Sequence, residues 1–208
     1  MPPIVALLVY ACIEPLKRWK AYVLTTRRFF DDDTERRKWQ NPEAVLTGIG
    51  LKPGFTFLDI GCGDGFFAIP AARIVGEKGM VYGLDADKDA IGRLVETARK
   101  LGLSNLILRV GRAEETILCD GCADIVFFGI VLHDFESASK VLSNAKRMLK
   151  HGGRLVDLDW KKKPMDLGPP LGMRFSEEKA AGLIKEVGLQ IETVKTDQPC
   201  HYIIIAKT

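Results

Sequence analysis

From residue 55 onward the chain alternates short apolar runs with longer amphipathic ones. Residues 56–60 precede a helix-length segment ending at Val75, residues 80–84 precede one spanning 87–101, and residues 106–110 form a third short run. Residues 125–130 then lead into a segment from about 136 to 149, followed by another apolar run at 154–158. Short runs without polar alternation suit strands buried on both faces, and the longer segments space their apolar residues by three and four, as one helix face requires. The rhythm predicts a parallel sheet covered by helices on both sides, with ligands at the carboxyl ends of its central strands.

The two ends of the chain depart from this rhythm. Over residues 14–50, Trp19, Tyr22, Val23, Phe29 and Phe30 recur near helical intervals, with an acidic break at 31–33. Asn41-Pro42 predicts the start of a second helix ending by Gly50, because asparagine caps and proline fits the first turn. Residues 1–49 therefore read as a helical extension or lid, and residues 50–208 as the main domain. The apolar stretch 4–13 is too short to cross a bilayer and lacks the basic leader of a secretory signal. It reads as a docking segment, an amphipathic anchor, or the product of a start codon placed too early. Beyond Lys163, the series Pro164, Gly168-Pro169-Pro170 and Gly172 predicts an irregular loop, and Ser176 caps a last helix reaching Val187. Strands at 189–195 and 201–206 lie close enough to pair as a hairpin, so one strand must run antiparallel. The expected fold is α/β: a Rossmann-like, doubly wound, mostly parallel sheet of seven strands with an antiparallel C-terminal hairpin strand.

Composition narrows the function. With 208 residues, the chain can bury one sizeable core, and 47% hydrophobic against 27% charged residues excludes a disordered chain. A net charge of +3 is small for a nucleic-acid binder. Basic residues do cluster, as Lys17, Arg18 and Lys20, as Arg27-Arg28, as Arg36-Arg37-Lys38 and as Lys161-Lys162-Lys163. Asp31 to Asp33 and Glu35 interrupt the first group, which predicts a solvated helical face. Five cysteines without regular spacing describe no secreted disulfide scaffold and fit a reducing cytoplasm. Cys119-Asp-Gly-Cys122 has the spacing of redox and metal sites, but no second pair accompanies it. Structural thiols are expected there, with a disulfide reserved for a thermophilic host, and no metal site is expected.

The chemistry concentrates in Leu58-Asp-Ile-Gly-Cys-Gly-Asp-Gly-Phe66. A dinucleotide loop needs G-x-G-x-x-G/A, whereas the last small position here is filled by Phe66 and glycine falls one residue early, at Gly65. Asp64 also adds a carboxylate close to where phosphates would lie. A ligand joining adenosine to a cationic sulfonium and an amino-acid tail suits such a loop better, because it needs close backbone approach without phosphate charge. Twenty residues beyond Gly65, Asp85 closes the second strand, where a carboxylate can accept from both ribose hydroxyls, while Asp87 is placed to cap the next helix.

At Asp59-Ile-Gly61-Cys62-Gly63-Asp64-Gly65 the sequence resembles the class I S-adenosylmethionine-dependent methyltransferases, whose first motif is an acidic residue followed by G-x-G-x-G. The resemblance extends over roughly residues 50–207. It implies S-adenosyl-L-methionine as cofactor, with Asp59, Gly61, Cys62 and Gly63 around its amino-acid part, Asp85 on the ribose and Ala86 against the adenine. It places Gly111-Arg112-Ala113-Glu114 at the adenine edge, with Ala113 and Glu114 as contacts, and a carbonyl near Gly129 at the cofactor's ammonium. From the residues alone, Glu114 and Glu115 read equally as exposed charges opening a helical turn.

Methyl transfer from a sulfonium is an in-line displacement on an activated carbon, so positioning the acceptor is the protein's main task; proximity can supply roughly 7–11 kcal/mol. A base is needed only where the acceptor must lose a proton. The candidates are His133, as base or acceptor holder, and Asp159 with Trp160, which can select a cationic or planar acceptor. A hydrogen-bonding loop histidine and a core tryptophan are the plainer readings of His133 and Trp160. The sequence Leu132-His-Asp-Phe135 differs from the Asp/Asn-Pro-Pro-aromatic motif of enzymes that methylate adenine or glutamine amides, and looks more like the small-molecule branch. The expected acceptor is a small molecule. RNA or protein lysine is the alternative, arsenite is more distant, and a binding module that transfers nothing shares the same pocket.

Overall fold

The computed structural model describes residues 36–37, 40–166, 168–196 and 199–208. The expectations for the apolar stretch 4–13 and for the aromatic residues between Trp19 and Phe30 lie outside the described residues.

Seven strands form one sheet in the order β3-β2-β1-β4-β5-β7-β6. They are β1 (Thr56–Ile60), β2 (Met80–Asp85), β3 (Leu106–Val110), β4 (Ala123–Gly129), β5 (Leu149–Trp160), β6 (Gln190–Lys195) and β7 (His201–Lys207). The first five are mutually parallel, and β7 inserts antiparallel between β5 and β6. This is the expected seven-stranded arrangement with its antiparallel hairpin. The chain runs outward from β1 through β2 to β3 and then returns to the other side of β1 as β4. At that reversal, connections leave the carboxyl ends of β1 and β4 in opposite directions and open a crevice between them.

Helices α1 (Pro42–Gly48), α2 (Ala68–Val75) and α3 (Lys88–Lys100) precede β4, and α4 (Ala138–Met148) and α5 (Glu177–Glu186) follow it. Their starts obey local chemistry. The side chain of Asn41 accepts from the Ala44 amide at 2.9 Å with Pro42 just inside, and Asp87, Ser137 and Ser176 cap α3, α4 and α5 in the same way. Only α2, which follows the glycine loop, begins without a side-chain cap of its own. The helices divide the core into two layers. One packs Leu46, Ala71, Leu94 and Phe127 with α1, α2 and α3; the other packs Val126, Leu142, Ile184 and Tyr202 with α4 and α5.

Two boundaries move. Strand β5 begins at Leu149 rather than near 154, because Leu149 already pairs with Ala123 before the register shifts at Ile125 and Arg154. Helix α4 accordingly ends at Met148. Cys119 and Cys122 are joined as a disulfide, which corrects the expectation of two structural thiols. The turn between them, with Gly121 at φ 56°, donates from Gly121 and Cys122 to the Arg147 and Met148 carbonyls and brings the sulfurs together. Among the described residues, no helix is long and apolar enough to cross a membrane.

Candidate functional site

The crevice is built by the loop between β1 and α2. Gly61 and Cys62 both donate to the Leu84 carbonyl, at 2.7 and 3.1 Å, so the loop folds back over the end of β2. Gly61 and Gly65 have φ of 79° and 92°, where side chains are disfavoured, and a Cβ at either would strike Val131 or Leu94. At Gly63 an added Cβ would meet nothing within 4 Å: this glycine borders open space. Cys62 turns inward, buried beneath Gly83, and contributes its backbone to the loop. Burial pushes its thiol up, and the Asp59 and Asp85 carboxylates add to the effect.

Asp85 ties the loop to the second strand. Its Oδ2 accepts from the Gly63 amide and its Oδ1 from the Asp87 amide, both at 2.8 Å. Asp87 caps α3 as expected, but Asp85 is itself engaged by two backbone amides; each oxygen keeps a second lone pair toward the crevice rim. Ala86, next along, is exposed. The carboxylate of Asp64 is not poised over the loop. Arg93 grips it from α3 at 2.7 and 3.1 Å, so the expected clash with phosphate fails at this residue.

Asp59 lies beneath the loop at 1% exposure. Burial raises its carboxyl to about 7, reinforced by Asp85 and opposed by Arg36 and the Ala68 amide at the start of α2. By accepting from that amide, the Asp59 carboxylate supplies the cap that Phe67 lacks. The other carboxylate oxygen, Oδ2, is buried and completes no hydrogen bond.

On the β3 side, Gly111 donates to the Asp85 carbonyl at 2.9 Å, which sets the following residues along the same rim. Ala113 and Glu114 are buried and Glu115 is exposed, so the two adjacent carboxylates separate by position. The Ala113 carbonyl accepts from the Asn144 side chain on α4 at 2.8 Å. Arg112 sits among Glu114, Glu115 and Glu136 and pairs most closely with Glu136, at 2.7 Å. Gly129 ends β4, with its Cβ position filled by Phe67 and Phe127. Ile130 follows at φ 64°, an unusual conformation for a β-branched residue, held by its amide donating to Leu158 at 2.7 Å. Nothing in the sequence marks Ile130.

His133 and Asp159, from the ends of β4 and β5, come together. The His133 Nδ1 lies 2.8 and 2.9 Å from the two Asp159 oxygens, and the His133 and Trp160 amides also donate to that carboxylate, at 3.3 and 2.7 Å. The His133 Nε2 lies 3.3 Å from Asp134 at the surface. Burial opposes protonation of the ring, but the Asp159 carboxylate and its hydrogen bond favour it more, with Asp134 adding to them, and the net effect raises the imidazole above its ordinary value. Asp157 and Tyr202 are sealed beneath, and of the two only Tyr202 lies outside the candidate stretches the sequence offered. Neither Asp157 oxygen nor the Tyr202 hydroxyl completes a hydrogen bond of good geometry, although the two side chains sense each other's charge. Burial holds both groups well above their usual ranges. Trp160 is buried against His201, with ring centroids 4.2 Å apart, which is the core placement.

A separate groove at the amino ends of the strands, lined by Phe55, Asp124, Lys150 and Arg154, lies far from the crevice. Its charges are already matched, Lys150 to Asp124 at 2.8 Å and Arg154 to Glu192 at 3.0 Å.

The sheet order and the glycine crevice define a Rossmann-like methyltransferase. A methyltransferase-domain family model matches residues 51–195, and the chain belongs to that family. A solved S-adenosylmethionine-dependent methyltransferase from Aquifex aeolicus superimposes with a TM-score of 0.82 at 31% identity, covering 88% of this chain and 96% of that one. The cofactor of this family is S-adenosyl-L-methionine. Among curated relatives, a probable cobalt-precorrin-6B C(15)-methyltransferase of Sulfurisphaera tokodaii is 35% identical over 113 residues, 54% of this chain and 57% of the relative. A demethylmenaquinone methyltransferase of Geobacillus kaustophilus is 32% identical over 122 residues, 59% of this chain and 51% of the relative. The chain thus spans little more than half the length of these two relatives.

Proposed function

We propose that the chain transfers a methyl group from S-adenosyl-L-methionine to a small-molecule acceptor, and that it works in the cytoplasm. The observation that carries this reading is the bond from Gly63 to Asp85, which locks an open glycine loop against a carboxylate that still has lone pairs to offer. The chain's own groups fit the cofactor. Asp85 meets the ribose hydroxyls, Ala86 lies against the adenine, and Ala113 with Glu114 bounds its edge. Gly61 and Gly63 allow close backbone approach with Cys62 packed behind them, and the Gly129 carbonyl together with the orphaned Asp59 Oδ2 offers acceptors to an ammonium. When bound, the cofactor supplies a methyl group on a positively charged sulfur, already activated for displacement.

His133 and Asp159, at the ends of β4 and β5, would form the floor on which an acceptor rests. The Asp159 carboxylate, accepting from the His133 side chain and from two backbone amides, fixes the tautomer of the ring and directs Nε2 outward toward Asp134. A proton released by the acceptor can be received along this line. Small-molecule acceptors are favoured by the relatives named for a cobalt-precorrin and for demethylmenaquinone. The basic run that suggested RNA offers less surface than its composition implied: Arg36 is buried, and Arg37 pairs with Glu43 at 2.9 Å.

Thermal unfolding with S-adenosylhomocysteine tests the cofactor. A ligand at one hundred times its Kd stabilises the native state by about 2.7 kcal/mol, so the midpoint should rise by several degrees. No rise at millimolar ligand, or a larger one with NAD, overturns the reading. Incubation with methyl-labelled cofactor and host extract tests the acceptor: label should enter the low-mass fraction, and label confined to RNA or protein defeats the small-molecule assignment.

A further inference from the structure

The disulfide between Cys119 and Cys122 belongs to no part of the crevice or its floor, yet its surroundings lead back to both. Both cysteines are half-buried, and Asp120 and Gly121 between them are exposed. The turn has other fastenings. Gly121 and Cys122 donate to the Arg147 and Met148 carbonyls at 3.0 Å each, the Leu118 amide lies 3.3 Å from the Met148 sulfur, and the Arg147 guanidinium meets Asp120 at 2.8 Å. These bonds keep the two sulfurs near each other whether or not they are joined. Upstream, the irregular segment 116–119 runs from the crevice rim at Ala113 and Glu114 to Cys119. Helix α4 links the same two places. Its Asn144 donates to the Ala113 carbonyl at 2.8 Å, and Arg147, three residues on and on the same face, holds Asp120.

A disulfide that closes so short a loop removes little chain entropy, because that stabilisation grows with loop length. In a reducing compartment such bonds are usually transient and serve redox chemistry. The C-x-x-C spacing also favours the thiolate form that exchange requires. Resting on the cofactor and cytoplasmic readings above, we propose that Cys119 and Cys122 form a redox site for a thiol reductant, and that its state sets how firmly the rim holds the cofactor. One thiolate of the reductant attacks a sulfur of the pair, and the other cysteine leaves as a thiolate and takes up a proton. A second thiolate of the reductant then displaces the first cysteine from the mixed disulfide, and that cysteine is protonated in turn. Two electrons and two protons pass to the protein, and the reductant departs as a disulfide. The reduced turn rests on hydrogen bonds alone, which open locally more often than a covalent link. Segment 116–119 then loses its fixed end, and the Asn144 bond transmits that freedom between α4 and the rim.

The test uses the full chain and has two steps. Native protein is equilibrated in glutathione buffers of increasing reduced fraction, alkylated, and mapped by peptide mass spectrometry. The peptide containing residues 119–122 should pass from unlabelled to doubly labelled across the series, whereas a structural disulfide resists the glutathione pool. Calorimetry with S-adenosylhomocysteine, before and after dithiothreitol, then reads the coupling. Binding should be about 5- to 20-fold weaker in the reduced protein, the range usual for linked sites. Cys119→Ser/Cys122→Ser should match the reduced form and be indifferent to dithiothreitol. In Asn144→Ala the oxidised and reduced forms should bind within about twofold of each other, because the link to the rim is cut. A pair that stays unlabelled until the protein is denatured assigns the disulfide a structural role and overturns the proposal. So does a reduced wild-type protein that binds as tightly as the oxidised one, or a difference that survives Asn144→Ala. Failure to bind S-adenosylhomocysteine in either state defeats the cofactor reading itself, and the labelling of the pair is measured independently of it.

Discussion

Two carboxylate clusters occupy the same end of one sheet and are built to opposite rules. In the crevice at the ends of β1 and β2, Asp85 gives one lone pair per oxygen to a backbone amide, and Asp59 leaves one oxygen without any partner. At the ends of β4 and β5, Asp159 is saturated by the His133 ring and by two backbone amides, with Asp157 and Tyr202 sealed underneath. Buried polar groups with unused valence are costly unless something fills them, whereas saturated ones rigidify. On the proposed reading the first cluster receives the cofactor, and the second forms a floor that fixes where an acceptor would rest.

The sharpest way to break this contrast is Asp59→Asn. The wild-type carboxyl is held at about 7 when folded, against an ordinary value near 3.8, so folding favours its protonated form. That contribution is complete below the unfolded value and is lost as the pH rises through 7, which makes the ionised group a liability above neutrality. The variant should be the more stable protein, by an amount that grows between pH 4 and 7 to at most about 4 kcal/mol, while binding S-adenosylhomocysteine less tightly. Urea unfolding at pH 5 and pH 8 measures the first effect. An equal change at both pH values contradicts the buried-charge account.

Asp85→Ala should act on the ligand more than on the fold. Removing it releases the Gly63 and Asp87 amides and the ribose acceptor together, with an expected loss near 100-fold, about 2.7 kcal/mol, in S-adenosylhomocysteine affinity. Titration by calorimetry decides it, and a loss below threefold removes Asp85 from the cofactor site.

The smallest effect belongs to the floor. The His133 imidazole is raised in the folded state, so its stabilising share is present below about 6.5, the unfolded value, and declines as the pH climbs through the folded one. His133→Gln should cost on the order of 1 kcal/mol at pH 5.5 and less at pH 9, with cofactor affinity nearly unchanged. A cofactor affinity that falls tenfold would merge the two clusters into one functional unit.

Much of this contrast could be read in advance, though unevenly. The strands around Phe57, Val81 and Val126 follow from short apolar runs, and the caps at Asn41, Asp87 and Ser176 from side chains that bond within three residues. Asp64 shows the limit. Its neighbours in sequence place it in the loop, but its partner Arg93 stands 29 residues away on α3 and turns the carboxylate aside. The pair His133 and Asp159, 26 residues apart, could be named as two candidates without any sign that they form one unit. Arg36 was misjudged for the same reason, since a basic run looks solvated until Phe66 is found beneath it.

The linear order of residues was enough to settle the alternation of strands and helices, the antiparallel hairpin and the glycine loop with its acidic flanks, because each depends on spacing over a single turn or strand. Only the tertiary structure decided which charges meet, which carboxylate oxygen is left over and which arginine lies against the loop. Those outcomes depend on distances through space between distant segments, and on the dielectric that packing creates around them.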